Sequence, residues 1–155
     1  MTLIQELMNQ PSLNAFLENG DMKRFAPAEI RETIQTLVAT EQINLAYALG
    51  DAGLSIYPHN EDMLAINGLL AIIRQDWSES VELLTELMAI QGDNTQPFTY
   101  VMLVRALRCN LDPAAAMQVV RKGLEQYPNQ LELVAESLAL EEYAHAITPS
   151  TAVTQ

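Results

Sequence analysis

One six-residue pattern occurs twice in this chain and constrains its fold more than any other feature. The pattern Gly-Leu-x-x-Tyr-Pro stands at 53–58 and again at 123–128. The two prolines lie 70 residues apart, about two lengths of a short structural repeat. We therefore expect a degenerate copy between them, and residues 80–92 provide one.

Alignment on these marks divides most of the chain into three units of 34 residues. The units are 27–60, 61–94 and 97–130, with Thr95 and Gln96 inserted before the third. The twentieth residue of each unit is small, which lets two helices approach closely: Ala46, Ser80 and Ala116. Proline near the end of the first and third units cannot continue a helix and therefore ends it. The second unit departs from the pattern, because glycine stands where the proline would be.

This pattern resembles the tetratricopeptide repeat (TPR), a helix-turn-helix unit of 34 residues with small residues near positions 8, 20 and 27 and proline near 32. The resemblance implies an all-α fold, a TPR-like α-solenoid of three repeats within a domain at 27–144. An N-terminal helical arm at 1–26 would precede the domain, and a closing helix at 131–144 would cap it. Residues 145–155 are rich in Ser and Thr, and we expect a flexible tail there.

Residue types that begin helices mark several boundaries. Asn60 is predicted to be an N-cap, and Asp76 with Glu79 forms a capping-box pattern. Asp112 precedes a proline, which combines the preferences for the N-cap and the first helical position. Asn129 is predicted to cap the last helix. The acidic flank of that helix is predicted to face water: Glu132, Glu136, Glu141 and Glu142.

The charge and composition exclude several classes of function. A net charge of −12 argues against nucleic acid, which requires basic side chains to neutralise phosphates, and against anionic membrane surfaces. The only cysteine, Cys109, allows no intrachain disulfide. The first residues include no basic region of a secretory signal, and no apolar run reaches the ~18 residues of a membrane span. We therefore expect a cytoplasmic protein without membrane insertion.

No motif in the sequence indicates catalysis. His59 and His145 belong to no metal-ligand cluster, and Cys109 has no histidine at a characteristic spacing. The six glycines form no phosphate-binding loop. We therefore expect no enzyme activity, cofactor or metal.

The TPR resemblance implies that the first helices of the repeats line a concave, peptide-binding groove. The residues that project onto it are Arg31, Gln35, Ala65, Leu69, Ile72, Ile73, Phe98, Val101, Met102, Arg105 and Arg108. They describe an apolar trough with a basic rim, suited to an amphipathic or extended peptide that carries acidic residues. The alternative is that the arginines are ordinary solvated side chains.

The N-terminal arm has an apolar stripe at helical spacing, made of Leu3, Ile4, Leu7, Met8, Leu13, Phe16 and Leu17. Two interpretations are open. The stripe covers the exposed face of the first repeat, or it serves self-association as a homodimer or heterodimer.

The length, the arm, the three repeats, the closing helix and the low pI together resemble the small acidic TPR chaperones of bacterial type III secretion systems. The resemblance implies a chaperone that holds a secreted translocator or needle subunit in the cytosol by covering an apolar segment. The alternative is a general TPR adaptor that scaffolds a multiprotein complex.

Overall fold

The computed structural model describes residues 2–9 and 22–147, and all regular secondary structure within them is helical. The α-helices are α1 (Leu3–Asn9), α2 (Pro27–Ala39), α3 (Ile43–Ile56), α4 (Glu61–Ile73), α5 (Trp77–Gln91), α6 (Pro97–Cys109), α7 (Pro113–Gln126) and α8 (Leu131–Ile147). Short 3-10 helices stand at Met22–Arg24 and Gly92–Asn94. The predicted all-α fold class is confirmed. The division into repeats at 27–60, 61–94 and 97–130 stays a prediction.

The chain forms two compact units, of which the first ends at Ile90 and the second begins at Gln91. The last helix extends to Ile147, three residues beyond the predicted end of the closing helix. Residues 148–155 of the predicted tail lie outside the described residues.

The repeated Gly-Leu-x-x-Tyr-Pro pattern makes the same hydrogen bond in both units. The Tyr57 hydroxyl donates to the carbonyl oxygen of Phe25 at 3.0 Å, and the Tyr127 hydroxyl donates to that of Thr95 at 2.8 Å. Each carbonyl lies two residues before the proline that begins the first helix of its pair. The tyrosine therefore ties the end of the second helix of a pair to the start of the first.

The glycine of the same pattern allows two helices to touch. A Cβ on Gly53 would lie 2.7 Å from Sδ of Met63, and a Cβ on Gly123 would lie 2.9 Å from Cδ1 of Leu133. Both distances are shorter than real Cβ contacts. Gly53 lies in α3 and Met63 in α4, whereas Gly123 lies in α7 and Leu133 in α8. Helix α8 therefore packs on α7 as α4 packs on α3.

The core of the first unit includes residues of α1 to α4. Its buried members are Leu3, Leu7, Met22, Phe25, Ile30, Ile34, Leu37, Ala46, Leu49, Met63, Ile66 and Leu70. Polar contacts also attach α1: the backbone N–H of Leu3 donates to Glu29 Oε1 at 3.0 Å, and Arg24 Nη2 pairs with Glu6 at 2.7 Å. Hydrophobic burial is the main stabilising term for such a short helix, because seven residues do not form a stable helix alone.

Two predicted caps are present in the expected form. The Asn60 side chain accepts from the backbone N–H groups of Asp62 and Met63 at 2.8 and 3.2 Å. The Asp112 carboxylate accepts from the N–H of Ala115 at 3.2 Å. Each cap satisfies N–H groups that the first turn of a helix leaves without a partner.

Two other cap predictions need correction. Asp76 accepts from the N–H of Glu79 at 3.2 Å, but its own N–H already donates to Ala71, and the Glu79 carboxylate pairs with Arg74 at 2.7 Å. Only half of the capping box therefore forms.

Asn129 is not the N-cap of α8. The Gln130 side chain accepts from the N–H of Leu133 at 3.0 Å, and the Gln130 carbonyl accepts the first bond of the helix. Helix α8 begins at Leu131, so the residue directly before it, Gln130, is the N-cap, and its side chain is long enough to reach the first turn.

Candidate functional site

The predicted groove residues of the first unit form a partly exposed apolar strip on α4. Leu69 and Ile72 are half-buried, and Ile73 is 39% exposed. Ala65 is 3% exposed and offers little surface to a ligand, and its place in the groove stays a prediction. We call Leu69, Ile72 and Ile73 the α4 strip.

The polar residues predicted beside this strip have different surroundings. Arg31 Nη1 donates to Asp62 Oδ1 at 3.1 Å, which joins α2 to α4. Gln35 is exposed on α2. The positive charge of Arg31 is therefore balanced within the unit before any ligand binds.

In the second unit, three predicted groove residues line one cavity. The cavity has a volume of about 210 Å³ and is lined by Phe98, Val101, Met102, Gln130 and Glu132. Val101 is 2% exposed and Met102 is 8% exposed, so these side chains form the base of the cavity. Phe98 is half-buried at the start of α6 and is the apolar member best placed to contact a ligand.

Arg105 and Arg108 do not form a free basic rim. Arg105 Nη2 donates to Glu132 at 2.9 Å, and its Nε donates to Glu136 at 3.3 Å. Arg108 donates to both carboxylate oxygens of Glu136, from Nε at 2.9 Å and from Nη2 at 3.3 Å. The two positive and two negative charges therefore sum to zero. The prediction that Arg105 and Arg108 give the groove a basic rim is corrected accordingly. We call these four residues the α6–α8 charge cluster.

Glu136 is the centre of this cluster and is 8% exposed, which corrects the prediction that it faces water. A buried carboxylate requires paired charge and hydrogen bonds, and the two guanidinium groups provide both. The hydrogen bond that Arg108 donates to the Glu136 carboxylate raises the pKa of Arg108 above its ordinary value, although burial acts in the opposite direction. The function of the two arginines inside this chain is therefore to hold α8 against α6.

Sequence reasoning missed a second cavity in this unit, of about 290 Å³. It is lined by Arg108, Leu111, Pro113, Ala139, Leu140 and Tyr143. Leu111 is 86% exposed and has a φ of 62° in the turn between α6 and α7. No sequence signal marks this cavity. Three of its residues come from the end of α6, the turn after it and the start of α7, and the other three come from α8, 26 or more residues further along the chain.

The predicted self-association stripe is only partly available. Leu3 is 0% exposed and Leu7 is 9% exposed in the core of the first unit, so these two residues agree with the interpretation that the stripe covers the first repeat and are not available for self-association. Ile4 is half-buried and Met8 is 71% exposed. The remaining members, Leu13, Phe16 and Leu17, lie outside the described residues.

The described residues provide no catalytic constellation. His59 Nδ1 lies 2.6 Å from Glu86 Oε1, and both side chains are exposed to solvent. Across residues 2–9 and 22–147, no three His, Cys, Asp or Glu side chains stand close enough to hold a metal ion. None of the helices described is both long and apolar enough to cross a membrane.

No protein-family model and no curated protein matches this chain. Several solved structures do match, among them one titled "MamA D159K mutant 1". That structure aligns with a TM-score of 0.68 and 19% identity, over 83% of this chain and 74% of that chain. MamA is a TPR-type protein, and the likeness shows that this chain has a TPR-like helical fold.

Proposed function

We propose that this chain is a non-enzymatic protein-binding scaffold that holds an apolar segment of a partner on its first helices. The observation that carries the proposal is the α4 strip, where Ile73 remains 39% exposed on a helix whose other apolar residues are mostly buried. Helical repeats commonly bind segments of other proteins on the surfaces that their stacked helices form. The net charge of −12 keeps such a surface in solution by repulsion between molecules.

The sequence suggested a ligand that carries acidic residues, but the arginines of α2 and α6 favour a different one. Arg31, Arg105 and Arg108 are each paired with a carboxylate. An acidic peptide would therefore have to displace carboxylates that the chain already provides. We infer that the bound segment is apolar with neutral or basic flanks, rather than acidic.

Within this class we propose a cytoplasmic chaperone that holds a secreted type III secretion subunit of the translocator or needle type. The proposal depends on the sequence resemblance: a short acidic chain with a helical arm before its repeats. The mechanism would be steric, because an apolar segment covered by the scaffold cannot aggregate.

A general adaptor is the second candidate, and one observation favours it. Leu3 and Leu7 belong to the core of the first unit, which reduces the apolar surface that an arm could offer for self-association. An adaptor needs no such arm.

The test is a capture experiment from the native cytosol with the full chain and two matched variants. Ile73→Asp places a charge on the α4 strip, and Ile90→Asp places the same charge on α5, where the isoleucine is 45% exposed. We expect the wild-type chain and Ile90→Asp to retain the same partner, and Ile73→Asp to lose it while its far-UV circular dichroism is unchanged. Equal retention by both variants would overturn the assignment of the strip.

Mass spectrometry and light scattering of the captured complex separate the two finer functions. One stoichiometric secreted subunit, which aggregates when expressed alone, is the result expected for the chaperone. Several folded proteins at lower ratios are the result expected for the adaptor.

A further inference from the structure

Among residues 2–9 and 22–147, no helix covers the outer face of α8, whereas the same face of α2, α4 and α6 is covered by the helix that follows each of them. Counted from the start of each helix, the fourth, seventh, eighth and eleventh residues are buried in α2, α4 and α6 without exception. The same positions in α8 are Val134, Ser137, Leu138 and Glu141. Val134 and Ser137 are half-buried, Leu138 is 57% exposed and Glu141 is exposed. We call this surface the α8 face.

The earlier helices show what kind of element covers such a face. Gly53 of α3 lies against Ile30 of α2, and Gly123 of α7 lies against Tyr100 of α6. The Ser80 hydroxyl of α5 donates to the carbonyl oxygen of Gly68 in α4 at 2.9 Å. The cover is thus the following helix of the chain in each case, and it meets the first helix at small residues.

The covering helices share a simple pattern of side chains. Their fourth, eighth and eleventh residues are buried: Ala46, Gly50 and Gly53 in α3, Ser80, Leu84 and Leu87 in α5, and Ala116, Val120 and Gly123 in α7. A helix that covers the α8 face therefore needs a small residue in its first turn and small or apolar residues four and seven positions later.

The charges of α8 define the polar part of that helix. Glu141 and Glu142 are both exposed on the C-terminal half of α8, where their adjacent charges create a local negative potential. The eleventh residue of α7 contacts the fourth residue of α6, so a cover of this kind runs antiparallel to the helix beneath it. Its first turn would therefore lie beside Glu141 and Glu142, where lysine or arginine is electrostatically favourable.

We propose that the α8 face binds an amphipathic helix of a partner protein, with a small residue in its first turn, apolar residues four and seven positions later, and Lys or Arg flanking the first turn. A second copy of α8 is a poor occupant, because two acidic helices repel each other. Residues 148–155 contain no Lys or Arg and so do not complement Glu141 and Glu142. The proposal uses a different surface from the α4 strip, so it succeeds or fails independently of the proposed function.

The test is fluorescence anisotropy with the full chain and a labelled 18-residue peptide of this pattern that carries lysines in its first turn. A second peptide has glutamates in place of the lysines. We expect the lysine peptide to bind at least about tenfold more tightly than the glutamate peptide, and added salt to reduce the difference. Equal binding of the two peptides, or no binding of either, would overturn the proposal.

Variants of the chain locate the binding. Leu138→Asp should weaken binding of the lysine peptide by at least about tenfold, because it removes a leucine that the bound peptide would cover. Ile90→Asp is the control, since it adds the same charge at an exposed isoleucine of α5 that lies outside α8 and its neighbouring cavity, and it should leave binding unchanged. Reversal of the charges in Glu141→Lys/Glu142→Lys should favour the glutamate peptide. If Leu138→Asp binds as the wild type does, the α8 face is not the site.

Two controls exclude the other occupants. Light scattering of the free chain should give a monomer, or an assembly that the Leu138→Asp variant also forms. If the wild type is a dimer and Leu138→Asp is a monomer, a second copy of the chain covers the α8 face, and the proposal is overturned. A chain that ends at residue 147 should bind the peptide as the full chain does. If only the shortened chain binds it, residues 148–155 are the occupant and the proposal fails.

Discussion

Removal of the two arginines from the α6–α8 charge cluster should cost more stability than removal of the glutamate between them. The Glu136 side chain is 10% exposed, whereas those of Arg105 and Arg108 are 39% and 44% exposed. The arginines can regain water when their partner is lost, but the buried carboxylate cannot. The prediction compares Glu136→Ala with the double variant Arg105→Ala/Arg108→Ala.

The magnitudes follow from this difference in exposure. Loss of Glu136 removes three charged hydrogen bonds, but the freed guanidinium groups become hydrated, so we expect a loss of about 1–2 kcal/mol. Loss of both arginines leaves a carboxylate buried without a positive partner, for which a cost of about 3–5 kcal/mol is typical. The triple alanine variant should be more stable than the double variant, because no charge then remains buried.

Urea unfolding followed by circular dichroism gives the free energies, and hydrogen exchange of α8 amides shows whether the loss is local to the second unit. Arg121→Ala on the exposed face of α7 is the control for the loss of one positive charge. A double arginine variant at least as stable as Glu136→Ala would refute the reasoning, since it would mean that the carboxylate is hydrated after all.

Three smaller predictions follow from the turns and the repeated pattern, and thermal or urea unfolding tests each. Leu111→Gly should stabilise the chain by about 1 kcal/mol, because glycine accepts a φ of 62° without the cost that a leucine incurs there; an unchanged or lower stability would contradict this. Tyr127→Phe should cost about 1 kcal/mol by removing the hydroxyl bond, whereas Tyr143→Phe, at a tyrosine that is 48% exposed, should cost nothing measurable. Gly123→Ala should cost about 1–3 kcal/mol of stability, because its Cβ would meet the base of the Tyr100 ring as well as a leucine methyl. Gly53→Ala should cost less, because the nearest atom to that Cβ is a flexible methionine sulfur. The reverse order of the two costs would contradict this prediction.

The parts of the fold that depend on local sequence could be predicted. The proline of the first unit was expected to end a helix, and α3 ends at Ile56, directly before Tyr57-Pro58. The Asn60 cap was correct because an N-cap needs only a side chain and the two or three residues after it. The all-α fold class followed from the period, since 34 residues accommodate two helices and two turns.

The site was less predictable, because its chemistry depends on pairs far apart in sequence. Arg105 and Arg108 meet Glu136 from 31 and 28 residues away, and no local pattern indicates which acidic residue of α8 points inward. Ala65 and Val101 projected onto the groove by helical spacing, but packing of neighbouring helices buries both. A periodicity locates a face of a helix, whereas the exposure of that face depends on the tertiary packing around it.

The most direct test of the central claim is hydrogen–deuterium exchange of the full chain with and without the partner captured from the cytosol. We predict slower exchange in α4, between Glu61 and Ile73, and in the first turns of α6, because these segments carry the α4 strip and Phe98. The amides of α3 and α7 should exchange as in the free chain. Protection confined to α3 and α7, with α4 and α6 unchanged, would contradict the claim that the first helices bind the partner.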